Sequence, residues 1–382
     1  MFKRLPATPH SNQFIGIQYL RGIAVLFVIF DHVTGMSKLP HYFGPNYSIF
    51  NDWLQCGGVG VDLFFVISGF IIYYVTINEY DLAVKIDFKS FFKHRIIRIL
   101  PFLWVCVIAT ALLKLLGRGT FPVWEYIRAI TLFPVGTVEP RPVWSLRNEF
   151  MFYIIFGLSI ICFKEYKFKW GWLILWFLTP VIWFGIGLQN FITIHFLKNL
   201  LDFIFDYHNL TFGIGVFIAY LYKKGYLKYE LSVKMGFLLC LIVCIPLLFI
   251  AHILGMKNAS NSFIQVIPTG LYSGLIVLLG LIIVANKNLN FINRIGLILG
   301  NSSYAIYLTH TAVISAMLGI VAKHYHQINP AILFVLGCIL AVSVGILAHF
   351  YIEKPLIKFV KSKFDKGTRA KILVPDNPAA FK

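Results

Sequence analysis

The chain has 382 residues, of which 58% are hydrophobic and only 13% are charged, and its formal net charge at pH 7 is +18. Soluble globular domains carry about 25% charged residues, so this composition excludes a water-soluble protein and indicates one that is solvated by lipid. The lysines and arginines lie between apolar runs. That arrangement is typical of charges that orient membrane spans and contact anionic lipid, and it argues against a nucleic-acid site.

Apolar runs of membrane-spanning length follow one another along almost the whole chain. Since a span needs roughly 20 apolar residues, we predict an all-α, polytopic membrane protein with about ten transmembrane helices. The predicted spans are 14–33, 58–77, 96–116, 149–163, 170–188, 203–222, 236–254, 268–285, 300–321 and 330–351. The predicted transmembrane domain therefore covers residues 1–355, and a basic cytoplasmic tail covers 356–382.

The distribution of basic residues between the spans predicts the orientation. If the N-terminus is cytoplasmic, the inner segments carry most of the lysines and arginines, as in residues 85–98, whereas most outer segments carry one each. The positive-inside rule then places both termini in the cytoplasm. The exception is the outer segment 117–148, which has four arginines and a helix-like stretch at 121–132. It is expected either to fold back against the bundle or to form an ordinary surface helix.

The first predicted span carries an arginine and a histidine on one face. Arg21 and His32 are separated by close to three full helical turns, so they share a face and lie about 16 Å apart along the axis. An arginine inside a membrane is costly and indicates a functional site, although a snorkelling anchor is the alternative. His32 follows Asp31 near the outer end, where an ordinary polar end residue is the alternative.

The second predicted span has a charged residue, Asp62, at its start, and the third has two arginines at its cytoplasmic edge. The second begins with GGVGVDLFFVISGF, in which the glycines suit close helix packing and Asp62 and Ser68 are candidates to line a substrate path. Arg95 and Arg98 lie one turn apart at the cytoplasmic mouth of the third. Two guanidinium groups so placed suit a phosphorylated cytoplasmic ligand, and orienting charge is the alternative.

The fourth predicted span begins with WSLRNEFMFY, which includes Trp144, Glu149 and Tyr153. Glu149 is predicted to lie at the depth of His32. A histidine and a carboxylate at one depth can act together, with His32 as general base and Glu149 or Asp31 orienting its ring. A helix cap is the alternative for Glu149, and Trp144 and Tyr153 are candidates for the substrate path.

The ninth predicted span contains SSYAIYLTH, in which Ser303, Tyr307 and His310 fall on one helical face. Tyr307 and His310 are therefore further candidates for a polar path. Glu353 ends the last span and is interpreted as part of a stop signal. The sequence has no phosphate-binding loop, dinucleotide fingerprint or metalloprotease motif, and we predict no metal site.

Taken in order, these motifs resemble those of the membrane acyltransferase-3 family, which includes O-antigen and nodulation-factor acetyltransferases. The resemblance covers residues 14–355 and rests on the Arg21-x10-His32 pair and on the segments GGVGVDLFFVISGF, RIIRILP, WSLRNEFMFY and SSYAIYLTH. It implies a ten-helix enzyme that takes an acyl group, usually acetyl, from cytoplasmic acyl-CoA and passes it to a hydroxyl.

By motif position, the resemblance implies roles for individual residues. Arg21 and His32 match an essential pair, Arg95 and Arg98 match arginines that hold the donor, and Glu149 matches the acid of the Trp-Ser-Leu-x-x-Glu pattern. We therefore expect acetyl-CoA as donor co-substrate, no metal, and His32 as general base or, as a second choice, as the carrier of the acyl group.

The acceptor implied by the family is a cell-surface or exported carbohydrate, such as lipopolysaccharide O-antigen, and the location is the bacterial cytoplasmic (inner) membrane. The chain is expected to be a stand-alone form without the SGNH hydrolase-like domain of some relatives, with a separate periplasmic transferase as a conceivable partner. The alternative from another class is a transporter or flippase for a lipid-linked or small polar substrate, because intramembrane charges also line transport paths.

Overall fold

The computed structural model describes residues 3–4, 15–50, 53–55, 57–78, 83–116, 121–162, 166–227, 229–230, 263–282, 290–325 and 327–372. Nearly all of these residues are helical, and one short strand pair, β1 (Lys3–Arg4) with β2 (Tyr229–Glu230), is antiparallel. The predicted all-α class is therefore confirmed in the described part. The predicted span 236–254 lies outside it.

The first half contains five helices: α1 (Ile15–Ser37), α2 (Gly57–Thr76), α3 (Phe88–Leu116), α4 (Val123–Thr131) and α5 (Val143–Cys162). Helix α5 begins six residues earlier than the predicted span at 149, so Trp144 and Ser145 belong to its first turn. This difference arises because α5 starts with polar and aromatic residues, whereas the prediction followed the apolar run alone.

The second half begins with α6 (Tyr166–Pro180), a π-helical turn (Val181–Gly185), a 3-10 turn (Leu188–Phe191), α7 (His195–Ile204) and α8 (Asn209–Lys223). It continues with α9 (Phe263–Ile282), α10 (Asn290–His324), α11 (Pro330–Ala348), a π-helical turn (His349–Glu353) and α12 (Lys354–Ile372). The prediction of one span over 203–222 is wrong, because the polar residues that interrupt this run end α7 and begin α8 as a separate helix.

Five helical segments among the described residues are long and apolar enough to cross a membrane. They are Ile15–Ser37, Gly57–Thr76, Phe88–Leu115, Arg294–His324 and Pro330–Phe364, and two shorter apolar helices cover Leu173–Gly185 and Val266–Leu281. The chain is therefore a multi-pass membrane protein. The count of about ten spans remains a prediction.

Helix α1 lies at the centre of the bundle, where it packs against α2 on one side and α10 on the other. Its buried face includes Ala24, Val25 and Val28, and α2 in turn packs closely on α8. The central position of α1 is what places its two polar residues inside the protein rather than against lipid.

Helices α2 and α8 approach each other so closely that glycine is required on both. A Cβ on Gly215 would lie 2.0 Å from the Val66 carbonyl oxygen, and one on Gly69 would lie 2.2 Å from that of Phe212. The expectation that the glycines of α2 allow close packing is met at Gly69.

Replacing Gly215 with alanine is expected to destabilise the protein by about 1–3 kcal/mol, because the added methyl group forces two backbones apart. The measurement is thermal unfolding of purified protein in detergent. Gly35→Ala is the matched control, since nothing lies within 4 Å of a Cβ at that position. Equal unfolding temperatures for the two variants would contradict the close packing of α2 on α8.

The segment after α3, which the orientation rule predicts to be on the outer side, folds back against the bundle. This was one of the two expectations for it. Ala129 and Leu132 are buried, and Trp104 Nε1 of α3 donates to the Ile130 carbonyl at 3.1 Å. Arg147 of α5 donates to the carbonyl oxygens of Phe133 at 2.9 Å and Gly136 at 2.8 Å. This segment, residues 121–142, is called the outer loop below, and it forms one wall of a cavity.

Candidate active site

Arg21 and His32 occupy one uninterrupted α-helix, as the sequence predicts. Because α1 is regular from Ile15 to Ser37, their separation of eleven positions corresponds to about 16 Å along the axis. The two side chains open into different spaces: Arg21 lines an inner cavity and His32 lines an outer cavity. The face of α1 that carries both residues therefore borders two cavities, one at each residue.

The inner cavity has a volume of about 90 Å³ and contains the three predicted arginines. Arg95 and Arg98 of α3 join Arg21 there, and the Arg95 guanidinium also lies 5.5 Å from the centre of the Tyr153 ring. The cavity walls also include Ser68, Glu149, Tyr153, Ser303, Tyr304 and Tyr307. A concentration of guanidinium groups in a partly apolar space suits an anionic or strongly polarised ligand.

Glu149 lies in the inner cavity and not beside His32. Its carboxylate accepts a hydrogen bond from Ser68 at 2.6 Å and another, a short one, from the Tyr153 hydroxyl. The predicted contact with His32 is not formed, because α5 starts at Val143 and Glu149 therefore lies about 9 Å inside the helix. The carboxylate instead supplies negative charge among the three arginines.

The outer cavity is larger, at about 570 Å³, and the outer loop builds much of its wall. Its polar residues are Asp31, His32, Glu125, Thr137, Glu139, Arg141 and Arg147, and Trp144 adds an aromatic surface. Thr137 donates to Glu125 at 3.0 Å. Partial burial raises the pKa of the Glu139 carboxyl, and the charges of Lys114 and Arg141 oppose that rise.

The imidazole of His32 is held by a backbone carbonyl. Its Nδ1 lies 2.8 Å from the carbonyl oxygen of Val28, and since a carbonyl only accepts, Nδ1 carries the proton in this contact. The neutral ring then has its lone pair on Nε2, which is the arrangement of a general base. In the described structure the Val28 carbonyl holds the ring, and Asp31 interacts with His32 electrostatically. The orienting role of Asp31 stays a prediction.

His310 lies behind His32 and lines neither cavity. The two rings meet edge to face with their centres 4.8 Å apart, and His310 Nδ1 lies 2.6 Å from the Tyr307 carbonyl oxygen. His310 is completely buried. Its place on a polar path stays a prediction, and what the structure shows is its ring packed against that of His32.

Asp62 is also absent from the walls of both cavities. It is completely buried, and its Oδ1 lies 3.9 Å from His208 Nε2 of α8, while His208 Nδ1 contacts Asp206 at 2.6 Å. The role of Asp62 on a substrate path stays a prediction, and in this structure its side chain is enclosed beside His208 of α8. The remaining predicted path residues do line a cavity: Ser68 and Tyr153 the inner one, Trp144 the outer one, and Tyr307 both.

Comparison with known proteins decides the family. A family model described as an acyltransferase domain matches residues 14–350, which include both cavities. The chain belongs to the acyltransferase-3 family.

The relatives of this acyltransferase-3 chain include curated bacterial proteins. O-acetyltransferase OatA of Staphylococcus aureus strain MRSA252 is 26% identical over 419 residues, and the match covers 100% of this chain and 62% of that protein. The OatA of strain NCTC 8325 / PS 47 gives the same identity and coverage. The chain thus spans less than two thirds of the length of these relatives. No solved structure matches it.

Sequence reasoning missed several residues of this acyltransferase-3 site. Ser145 bonds to the Tyr307 hydroxyl at 2.6 Å, and Glu125 and Glu139 reach the outer cavity only because the outer loop folds back. Glu353, interpreted as part of a stop signal, is buried and accepts from His349 at 2.7 Å within a π-helical turn. An acid at the end of an apolar run needs a partner, and that signal pointed to Glu353.

Replacing Glu149 with alanine is expected to lower the free energy of unfolding by about 1–3 kcal/mol, because the Ser68 and Tyr153 hydroxyls lose their acceptor. Glu149→Gln keeps an acceptor oxygen and is expected to unfold close to the wild-type temperature. Thermal unfolding in detergent distinguishes the two variants. Identical losses for both would show that the charge of Glu149, rather than its hydrogen bonds, stabilises the site.

Proposed function

We propose that this protein is a membrane-embedded O-acyltransferase that moves an acyl group, most simply acetyl, from cytoplasmic acyl-CoA to a carbohydrate hydroxyl. One observation carries the proposal. An inner cavity with three arginines meets, at Tyr307, an outer cavity that contains a histidine with its Nε2 lone pair available. Membership of the acyltransferase-3 family and the similarity to relatives named O-acetyltransferase OatA support it.

The donor end of the reaction is assigned to the inner cavity. Coenzyme A is a large polyanion that does not enter lipid, so it approaches from water at the cytoplasmic side. Arg98 is exposed and Arg95 is partly buried, which suits the first contacts with phosphate groups. Arg21, deeper in the bundle, then lies beside the path of the uncharged pantetheine arm towards His32.

The chemistry assigned to His32 is general-base catalysis. Nε2 takes the proton of the acceptor hydroxyl while the oxygen attacks the thioester carbonyl carbon. The new ester C–O bond forms, the C–S bond breaks, and the proton on the imidazole passes to the leaving CoA thiolate. In the second-choice route His32 carries the acetyl group as an intermediate before the hydroxyl takes it.

The acceptor end is assigned to the outer cavity. At about 570 Å³ it lies in the range of small-molecule sites, and its carboxylates, arginines and indole suit a polyhydroxyl ligand. We propose a cell-surface or exported glycan, for which lipopolysaccharide O-antigen is one candidate and peptidoglycan sugar another. A separate periplasmic transferase as the immediate recipient is compatible with the same site.

The proposed location is the bacterial cytoplasmic membrane, with about ten spans and both termini inside. The excess of lysine and arginine in the inner segments supports this orientation. It places the inner cavity towards the cytoplasm and the outer cavity towards the cell exterior. Donor and acceptor are thereby kept on opposite sides of the membrane.

The test of the proposal is CoA release by purified protein supplied with acetyl-CoA and bacterial glycan, combined with mass spectrometry of surface glycans from cells with and without the gene. Release of free CoA and an acetyl mass increment that requires the protein are expected. No thioester turnover, together with flux of a glycan lipid across vesicles, would instead identify a transporter or flippase.

A further inference from the structure

A partition separates the inner cavity from the outer one. Among the described residues, Tyr307 and Val61 line both, and Tyr307 is only 6% exposed. Arg21 therefore lies on one side of this partition and His32 on the other. The phenol ring of Tyr307 is the bulkier of the two side chains.

The Tyr307 ring is fixed by hydrogen bonds to the outer-loop side of the bundle. Its hydroxyl lies 2.6 Å from Ser145 Oγ, and the Pro142 carbonyl oxygen lies 3.3 Å from the Tyr307 hydroxyl and 3.1 Å from Ser145 Oγ. The two hydroxyls have two protons between them, so one hydroxyl donates to the other and the second donates to the carbonyl. Phe64 packs against the ring with the two centres 5.8 Å apart. Pro142 itself lines the outer cavity, so the partition is tied to the wall of that cavity.

The inner cavity is too small in this structure to hold the donor arm. The inner cavity, about 90 Å³, is well below the roughly 300–1,000 Å³ of sites that hold a small molecule. A pantetheine arm that runs from the arginines to His32 needs a continuous channel of about 16 Å. Tyr307 is the larger of the two side chains that line both cavities, so a change of its rotamer alters the boundary most.

We propose that Tyr307 is a gate between the donor and acceptor cavities, held shut by Ser145 and the Pro142 carbonyl. The nature of the group that passes the gate rests on the proposed function, whereas the closure itself rests on the geometry alone. A shut gate keeps water and small solutes of the outer side away from the inner cavity. It thereby protects a bound thioester from hydrolysis and preserves the permeability barrier of the membrane.

The gate is tested by the accessibility of a cysteine behind it. The six native cysteines are replaced, and Ile71→Cys, which lines the inner cavity alone, or Thr137→Cys, which lines the outer cavity alone, is introduced. A membrane-impermeant maleimide is first added to intact cells and, separately, to inside-out vesicles that carry Thr137→Cys. The preparation in which Thr137→Cys is labelled shows which side of the membrane the outer cavity faces. The labelling rate of Ile71→Cys from that side is then measured.

Opening variants and a matched control complete the design. Tyr307→Ala removes the ring, and Tyr307→Phe and Ser145→Ala remove only the hydrogen bond, so that at least one variant keeps the packing of the bundle. Tyr42→Phe is the control, because Tyr42 makes an equivalent bond, 2.7 Å to Ser315 Oγ on the same helix α10, and lines neither cavity.

With the native gate, labelling of Ile71→Cys is expected to be slow, and Tyr307→Ala is expected to accelerate it by at least about tenfold. Tyr307→Phe and Ser145→Ala are expected to give smaller increases, and Tyr42→Phe none. Fast labelling with the native gate, or an equal rate in all of these variants, would overturn the proposal. Since no acyl transfer is measured, such a result would leave the proposed function standing.

Discussion

Replacement of His32 by alanine is expected to lower acetyl transfer by about 10²–10⁴-fold, the usual contribution of a positioned general base. The hydrogen bond from Nδ1 to the Val28 carbonyl leaves Nε2 as the basic nitrogen in the outer cavity. Alanine removes that nitrogen and leaves the backbone of α1 unchanged. The measurement is the kcat for acetylation of a glycan acceptor by purified protein.

His41→Ala is the matched control for this prediction, because His41 is exposed near the same end of α1 and lines neither cavity. It is expected to retain wild-type turnover. Near-wild-type transfer by a folded His32→Ala variant would contradict the assignment. Detection of acetyl-His32 after incubation with acetyl-CoA alone would favour the acyl-carrier route over general-base catalysis.

Replacement of Arg21 by alanine is expected to lower kcat/KM for acetyl-CoA by roughly 10–100-fold, the value of one or two hydrogen bonds to a charged group. Arg21 and Glu149 line the same inner cavity and interact electrostatically. Alanine therefore removes a donor for the passing acyl-CoA and also part of the charge that balances Glu149. Arg21→Lys is expected to recover only part of the loss, because ammonium lacks the planar fork of guanidinium.

The control for Arg21 separates a local contact from the general positive charge of the neighbouring basic segment. Lys93 of α3 is close in sequence to Arg95 and Arg98 but lines neither cavity. Lys93→Ala removes one positive charge and is expected to change kcat/KM by less than about threefold, the scale of a screened surface charge. Equal losses in Lys93→Ala and Arg21→Ala would show that long-range attraction alone accounts for the effect.

The helical positions of Arg21 and His32 were predictable because a regular helix fixes the relation between residue number and position. The same reasoning identified Arg95 and Arg98, which lie one turn apart and line the inner cavity together. In both cases the residues share a single helix. Periodicity alone therefore decides that they face the same way.

Relations between different helices were not predictable in the same way. The depth of Glu149 depended on where α5 begins, and an error of six residues moved the carboxylate from the outer cavity to the inner one. The burial of Asp62 depended on which helix covers α2. The periodicity of the α2 sequence does not show which helix packs against it. The Val28 carbonyl that holds His32 belongs to the backbone, so no side-chain motif in the sequence indicates this contact.

The central claim is that the acyl group crosses the membrane through the two cavities. Its most direct test uses sealed proteoliposomes in which the outer cavity faces the external solution. Labelling of Thr137→Cys by an external maleimide identifies this orientation. Acetyl-labelled acetyl-CoA is enclosed in the lumen and a glycan acceptor is added outside. We predict that labelled acetyl ester accumulates on the external glycan while free CoA remains in the lumen. An unlabelled external glycan, in vesicles whose detergent-solubilised protein acetylates the same glycan, would contradict the claim.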